Sequence, residues 1–311
     1  MLKVKQSSRI IKPFLKWAGG KTQLLEQLDN YFPQELVNGK IKRYIEPFIG
    51  SGAVFLHIAQ SYQIDEFFIS DINPELVLAY QTIQKNVEGL IIVLLDIENK
   101  YLSLNDEQRN KYYYQTRSNF NLGRKQINFT IYNQDWIERT AQIIFLNRTC
   151  FNGLFRVNSQ GEFNVPVGKY KKPTICDQEN LRAVAQILQK TKIYQGDFTE
   201  CEKFVNQASL VYFDPPYRPI SKTANFTGYS RHNFDDSEQL RLKEFFELLD
   251  KKGAKLILSN SDPKNEESND NFFDYAYKAY NIKRVKAARS INSNAAKRGQ
   301  INELIIMNFT K

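Results

Sequence analysis

Leu210-Val211-Tyr212-Phe213-Asp214-Pro215-Pro216-Tyr217 decides how this chain is read. Four consecutive apolar residues form a buried strand, and the two prolines stop it: neither has an N–H to donate, and each fixes φ. The strand therefore delivers a carboxylate to a stiff turn. The Asp214 carboxylate and the Pro215 carbonyl can both accept from a single NH2 group, with no proline N–H to compete for them. Tyr217 adds a flat face on which a heterocycle can stack. An amine gripped in this way keeps its lone pair off the ring and open to an incoming methyl group. The same four residues also fit an incidental Asp-Pro turn, so the surrounding chain has to choose.

Outward from this stretch, strand-like and helix-like runs alternate. Residues 44–49, 66–71, 192–195, 210–213, 255–260 and 302–309 read as strands, and 53–61 reads as a helix after Gly50-Ser51-Gly52. Asn73-Pro74 opens another helix, with a cap followed by proline at its first position. This order predicts an α/β fold with a largely parallel sheet. Between 84 and 176 the alternation stops: 101–121 and 136–147 look helical, and 152–170 is rich in Gly, Asn, Pro and basic residues, as a hairpin with exposed loops would be. The expected organisation is one domain from 1–83 and 177–311, interrupted by a mostly helical lobe at 84–176.

The bulk properties narrow the class. The 311 residues carry a net charge of +9, which favours a polyanionic partner, and 22 Phe with 17 Tyr offer stacking surfaces for bases. Cys150, Cys176 and Cys201 have neither metal-ligand spacing nor an even framework, so a reduced, cytoplasmic setting is expected. His57 and His232 cannot supply a multi-histidine metal site, and no metal is expected. The first residues lack the apolar core of a signal peptide, and the longest apolar run, 90–95, is too short to span a membrane.

Phe48-Ile49-Gly50-Ser51-Gly52 stands where a strand turns into a helix, and glycines there allow a ligand to approach the backbone closely. Asp71 closes the next strand about 20 residues later, the offset of an acid reaching ribose hydroxyls. The dinucleotide fingerprint lacks its third glycine. Gly20-Lys21-Thr22 lacks the upstream glycine of a phosphate loop. A ligand with a ribose but no pyrophosphate is implied, and S-adenosylmethionine fits. Asp197 and Phe198, after the strand at 192–195, could accept from an adenine amine and stack on its ring; they also fit a plain helix cap before Thr199. Trp17-Ala18-Gly19-Gly20-Lys21 suits a methionine tail with its carboxylate, or is simply a surface turn beside a buried ring.

Taken in order, these segments resemble the Dam-type DNA adenine-N6 methyltransferases, α-group arrangement, from Pro13 to about Phe309. The segments are Pro13-Phe14-Leu15-Lys16-Trp17-Ala18-Gly19-Gly20-Lys21, Glu46-Pro47-Phe48-Ile49-Gly50-Ser51-Gly52, Asp71-Ile72-Asn73 and Asp214-Pro215-Pro216-Tyr217, with Thr223–Thr227 and Ser290–Asn294 also matching. The resemblance implies a Rossmann-like S-adenosylmethionine-dependent methyltransferase sheet. Its cofactor would be held by Trp17, Lys21, Glu46, Phe48, Gly50, Gly52, Asp71, Asp197, Phe198 and Asp214, and catalysis would fall to Asp214, Pro215 and Tyr217. Within the lobe, Leu146-Asn147-Arg148, Phe151-Asn152-Gly153-Leu154, Arg156, Gly161–Pro166 and Gly168–Tyr170 resemble the family's target-recognition hairpin.

That match implies double-stranded DNA as the partner and GATC as the target. Arg156 would read a guanine edge, since a guanidinium fork fits O6 and N7 together. Leu154 and Pro166 would touch base edges, and Lys16 and Asn152 would face the DNA. Phe151 would wedge into the stack, where relatives often carry Tyr. Arg148, Lys169, Lys171, Lys172, Lys297 and Arg298 are candidates for phosphate contacts. The target adenine would have to be flipped out of the duplex. The alternatives are a different DNA site, methylation of a protein glutamine or an RNA adenine, and a catalytically inactive DNA-binding relative. A cognate restriction nuclease acting on the same site is a further candidate partner.

Overall fold

In the computed structural model, residues 10–17, 19–218, 234–288 and 300–310 are described. His232, Lys297, Arg298 and the segments 223–227 and 290–294 lie outside them, as does Ala18. Among the described residues seven strands form one sheet: β1 (Arg43–Glu46), β2 (Glu66–Asp71), β3 (Thr191–Gln195), β4 (Ser209–Phe213), β5 (Lys255–Ser261), β6 (Asn281–Ala288) and β7 (Gln300–Met307). Their spatial order is β3-β2-β1-β4-β5-β7-β6. The first five run parallel, and β7 runs antiparallel to both β5 and β6. The expected α/β sheet is present, with the chain reversing direction across the sheet between β1 and β4. At such a switch point, beyond the carboxyl ends of the strands, a doubly wound sheet leaves a crevice for its ligand.

Short helices α1 (Leu25–Leu28) and α2 (Gln34–Val37) precede β1. Helix α3 (Ala53–Ser61) joins β1 to β2, α7 (Gln178–Leu188) leads into β3, α8 (Asp236–Lys251) into β5, and α9 (Phe272–Ala276) into β6. The strands bury alternate residues on opposite faces, as their period of two requires. Tyr44, Leu210, Tyr212, Ile257 and Ile305 pack on one side; Ile45, Val211, Phe213, Leu258 and Leu304 pack on the other, against Leu242, Phe246 and Leu249 of α8.

The lobe is built on α4 (Pro74–Ser103), α5 (Asp106–Gly123) and α6 (Asp135–Thr149). Asn73 caps α4 by accepting from the Glu75 N–H at 3.1 Å, as the Asn-Pro signal predicts. At Asn86 the helix breaks (φ −152°, ψ 65°), and the Asn86 side chain accepts from Gly89 N–H at 3.0 Å, capping the second half. The sequence boundary at 84 falls beside this break. The helix expected over 101–121 begins inside α4 and ends inside α5, because Asn105 opens a new capping box with Gln108. Helix α6 is buried nearly all round, and its Ile137, Ala141, Ile144 and Phe145 share one core with the sheet face that carries Tyr44 and Leu210. No helix among the described residues is long and apolar enough to cross a membrane.

Three boundaries differ from expectation for local reasons. Strand β1 stops at Glu46, since Pro47 cannot continue a ladder. The hairpin expected at 152–170 reduces to antiparallel bridges at Cys150–Val167 and Val157–Phe163. Strand β6 carries no clear sequence signal; among the described residues it pairs only with β7, and its Lys283, Arg284 and Lys286 are the charges an edge strand uses.

Candidate active site

The glycine loop sits at the carboxyl end of β1. Gly52 begins α3 in the left-handed region (φ 70°), and a Cβ there would lie 2.5 Å from the Tyr80 hydroxyl, so no larger residue fits. That hydroxyl donates to the Gly50 carbonyl at 3.1 Å and fixes the loop. Asp71 ends β2 beside it, accepting from Gly50 N–H at 3.2 Å and Asn73 N–H at 2.9 Å. Burial pushes the Asp71 carboxyl up to about 6, although the surrounding N–H groups pull it back. Glu46 is buried and accepts from the Tyr44 hydroxyl at 2.6 Å; burial raises it well above the usual carboxylate range.

Asp214 follows β4 directly, half-buried, with Pro215 buried behind it. Its Oδ1 lies 2.6 Å from Lys21 Nζ and accepts from Ser259 on β5 at 3.3 Å, while Ser259 also meets the Tyr212 hydroxyl at 2.8 Å. Lys21 is only 3% exposed. Its ammonium donates to the Tyr217 hydroxyl at 3.0 Å and the Gly19 carbonyl at 3.2 Å, and lies 3.5 Å from Glu303. Burial works against this charge, but Asp214, Tyr217 and Glu303 together keep Lys21 protonated well above its ordinary range. Burial also raises Asp214, against the pull of Lys21. The Pro216 carbonyl accepts from Gln239 at 3.1 Å, which anchors the proline turn to α8.

Asp197 and Phe198 have protein partners of their own. The carboxylate of Asp197 takes both terminal nitrogens of Arg241, at 2.9 and 2.8 Å, and accepts from Thr199 N–H at 3.0 Å. The Arg241 bonds come first among the causes that lower it to about 2. Phe198 is buried, stacked on Phe48 (5.4 Å between centroids) with the Arg241 guanidinium 4.2 Å from its ring centre. The cap reading of Asp197 is what the structure realises, and the ring on the open side of this pair is the half-buried Phe48.

Trp17 joins two regions. Its indole lies against the glycine loop, where a Cβ on Gly50 would come within 3.1 Å, and it stacks on Phe155 of the hairpin at 5.1 Å. The hairpin buries Phe155, Phe163 and Val165 and turns Phe151, Asn152, Arg156 and Pro166 outward, with Leu154 half-buried. Arg156 accepts a neighbour's support, donating from Nε to Asn164 at 2.8 Å. Asn152 takes the left-handed region (φ 57°), and Phe151 is 52% exposed. Lys16 is exposed, its ammonium 5.0 Å above the Tyr170 ring. The structure thus gathers all six residues expected to face DNA into the hairpin and the segment beside it.

Other expectations are redirected. Asn147 is buried and clamps this region, accepting from Lys16 N–H at 2.8 Å and donating to the Lys16 and Gly153 carbonyls at 2.8 and 3.0 Å. Arg148, expected at phosphates, is half-buried and donates to the Phe14 carbonyl at 2.8 Å. Lys169, Lys171 and Lys172 are exposed. His57 pairs with Asp29 at 2.7 Å. All three cysteines are buried thiols, raised by burial to about 11 or 12, which suits packing rather than nucleophilic attack. Sequence reasoning missed Glu303, Ser259 and the clamp role of Asn147. Glu303 did leave a trace, as a lone charge in the apolar run from Ile301 to Met307.

Comparison with known proteins agrees over most of the chain. The family of D12 class N6 adenine-specific DNA methyltransferases matches residues 17–291. The chain is 47% identical to the Type II methyltransferase M.MjaIII of Methanocaldococcus jannaschii, covering 96% of this chain and 99% of that one. It is 37% identical to the Type II methyltransferase M1.LlaDCHI of Lactococcus lactis subsp. cremoris, with 96% of each covered. It is 35% identical to the DNA adenine methylase of Haemophilus influenzae, over 94% of this chain and 92% of that one.

Proposed function

Because the chain belongs to the D12 class N6 adenine-specific DNA methyltransferases, we propose that it methylates N6 of an adenine flipped out of duplex DNA, within GATC, using S-adenosylmethionine. The observation that carries this reading is the meeting of Asp214 and Tyr217 with the glycine loop and Asp71 along one carboxyl edge of the sheet. The donor set fits the cofactor: a half-buried carboxylate for ribose hydroxyls, a glycine loop walled by Trp17, and the exposed side of Phe48 for an adenine ring. Bound there, S-adenosylmethionine supplies an electrophilic methyl group on its sulfonium.

The protein's own part is positional. Asp214 and the Pro215 carbonyl accept the two N6 protons, which turns the nitrogen lone pair out of conjugation, and the Tyr217 ring supports the flipped base. As positive charge develops on N6, the Asp214 carboxylate stabilises it; Lys21 and Ser259 hold that carboxylate in place. Exposed Lys169, Lys171 and Lys172 meet the phosphates and make binding salt-dependent. The GATC target rests on the resemblance of the hairpin. Two relatives named Type II methyltransferases support a role in shielding this site from a nuclease.

The reaction is tested with tritiated S-adenosylmethionine and duplexes carrying GATC or its single-base variants. Label confined to N6-methyladenine in GATC supports the whole reading; label on a variant moves the target; no label on any duplex that the protein binds overturns the chemistry. Arg156→Ala relaxes selectivity at one base pair by about 1–3 kcal/mol in the same assay. An unchanged preference across the variants would remove Arg156 from base reading.

Asp71 gives a pH signature. Its carboxyl titrates at about 6, and only the ionised form offers both oxygens to ribose hydroxyls. Affinity for S-adenosylhomocysteine is therefore full above that value and falls as the pH drops through it. Calorimetric titration between roughly pH 5 and pH 7.5 should show this loss, and Asp71→Asn should bind weakly with a flat profile. A wild-type profile as flat as that of the variant would separate Asp71 from the ribose.

A further inference from the structure

Behind the proline turn lies a carboxylate to which the reaction above gives no task. Glu303 stands on β7, opposite Ser261 at the carboxyl end of β5, so the antiparallel strand carries it to the same edge as Asp214. It is 6% exposed. Its Oε1 accepts from the Tyr217 hydroxyl at 2.7 Å; its Oε2 is buried without a hydrogen bond, with Lys21 Nζ 3.5 Å away. A charge placed there is costly unless it is paired, and Leu304–Met307 show that apolar residues suit this strand.

We propose that Glu303 is a positioning residue for methyl transfer, holding the Tyr217 ring and the Lys21 ammonium so that Asp214 and the aromatic face meet the flipped adenine in a fixed geometry. The proposal rests on Tyr217 being that face. The Tyr217 hydroxyl donates to Glu303 and accepts from Lys21 at 3.0 Å, so the ring is pinned at its far end by two buried groups. The Lys21 ammonium also lies 4.9 Å from the ring centre. Two carboxylates share one ammonium, at 2.6 Å for Asp214 and 3.5 Å for Glu303. With Glu303 neutral, Lys21 is drawn to Asp214 alone, and a carboxylate more fully neutralised by an ammonium is a weaker acceptor for N6.

The charge balance around Asp214 gives the role a signature that packing alone would not. Lys21 faces it from the N-terminal segment, Glu303 from β7, Tyr217 from the turn, Tyr212 from β4, and Tyr44 and Glu46 from β1. Glu303 raises Asp214 and Lys21 lowers it. Removing the negative charge of Glu303 therefore lets Asp214 ionise at lower pH, so the acid limb of kcat moves down.

The experiment compares full-length wild type, Glu303→Gln, Tyr217→Phe and the double variant. It reads kcat and KM for DNA across pH, together with emission from 2-aminopurine at the target position. Glu303→Gln should lose about 10- to 100-fold in kcat with KM for DNA within about twofold, and its acid limb should shift downward. The double variant should fall no further than the worse single variant, as expected when two groups act as one unit. A normal kcat, a loss confined to KM or to thermal stability, an unmoved acid limb, or losses that multiply in full would each overturn the proposal. Absence of a 2-aminopurine signal in wild type would count against base flipping, while the kcat comparison would still decide the case of Glu303.

Discussion

Asp214→Ala should lower kcat by at least about 10³-fold while affinity for duplex DNA stays within a few-fold. The residue is the one carboxylate that ends β4, and its partners Lys21 and Ser259 converge on a single oxygen, Oδ1. In the mechanism proposed above, its loss takes away the acceptor for N6 and the counterion for the developing positive charge, which raises the barrier. The fold should tolerate the change, because Lys21 keeps the Tyr217 hydroxyl, the Gly19 carbonyl and Glu303 nearby. The hairpin proposed to face DNA is supported by Trp17 and Asn147, not by Asp214. Single-turnover methylation and a gel-shift titration on the same preparation check both halves. Retained methylation would remove Asp214 from the reaction, and parallel loss of DNA binding would make it a structural residue.

The second large effect lies away from the chemistry. Arg139 on α6 and Glu75 at the start of α4 are both buried and joined through two nitrogens, with the Arg139 Nε–Glu75 bond at 2.9 Å. Arg139 also donates to the Phe120 carbonyl and covers the Phe120 ring, 3.5 Å from its centre. It thus links α4, α5 and α6, and its partner Glu75 stands two residues beyond the Asn73 cap that itself adjoins Asp71. Arg139→Ala leaves the Glu75 carboxylate buried without this partner, which should cost about 3–5 kcal/mol. The thermal midpoint should fall by roughly 5–15 °C. A matched apolar pair, Glu75→Leu with Arg139→Met, should recover most of the loss, since the damage comes from the stranded charge. Thermal melts of these two variants beside wild type test this; an Arg139→Ala protein as stable as wild type would show that the pair contributes nothing.

Much of this fold follows from local pattern. Buried strands with turn residues at their ends (β1, β2, β4, β5 and β7) stand out because the centre of a parallel sheet demands apolar runs, and Asn73-Pro74 and Gly50-Ser51-Gly52 are local signals for local geometry. Strand β6 was hidden because an edge strand needs no apolar run. The break at Asn86 was hidden because the apolar pattern continues through it. The site divides in the same manner. Asp214, Tyr217, Asp71 and the glycine loop lie at strand ends, where position in the sequence nearly fixes position in space. Lys21 was read as a grip for a methionine tail, yet its ammonium lies against Asp214, 193 positions along the chain only by virtue of the fold. Asp197 shows the reverse case: its neighbour Thr199 already explained it, and Arg241 from α8 completes the explanation. Glu303 could be seen as an anomaly in an apolar strand, but nothing local says which residue it faces.

The placement of β7 also bears on how the protein is made. This strand follows every other strand of the sheet in the chain, but in space it lies between β5 and β6. Until it arrives, β6 has no strand to pair with and β5 presents an open edge of unmet backbone donors and acceptors. A growing chain must therefore keep an adhesive edge exposed until residues 300–307 have been synthesised. The same insertion that covers the open side of β5 delivers Glu303 to Tyr217, so one event closes this edge and brings the two residues together.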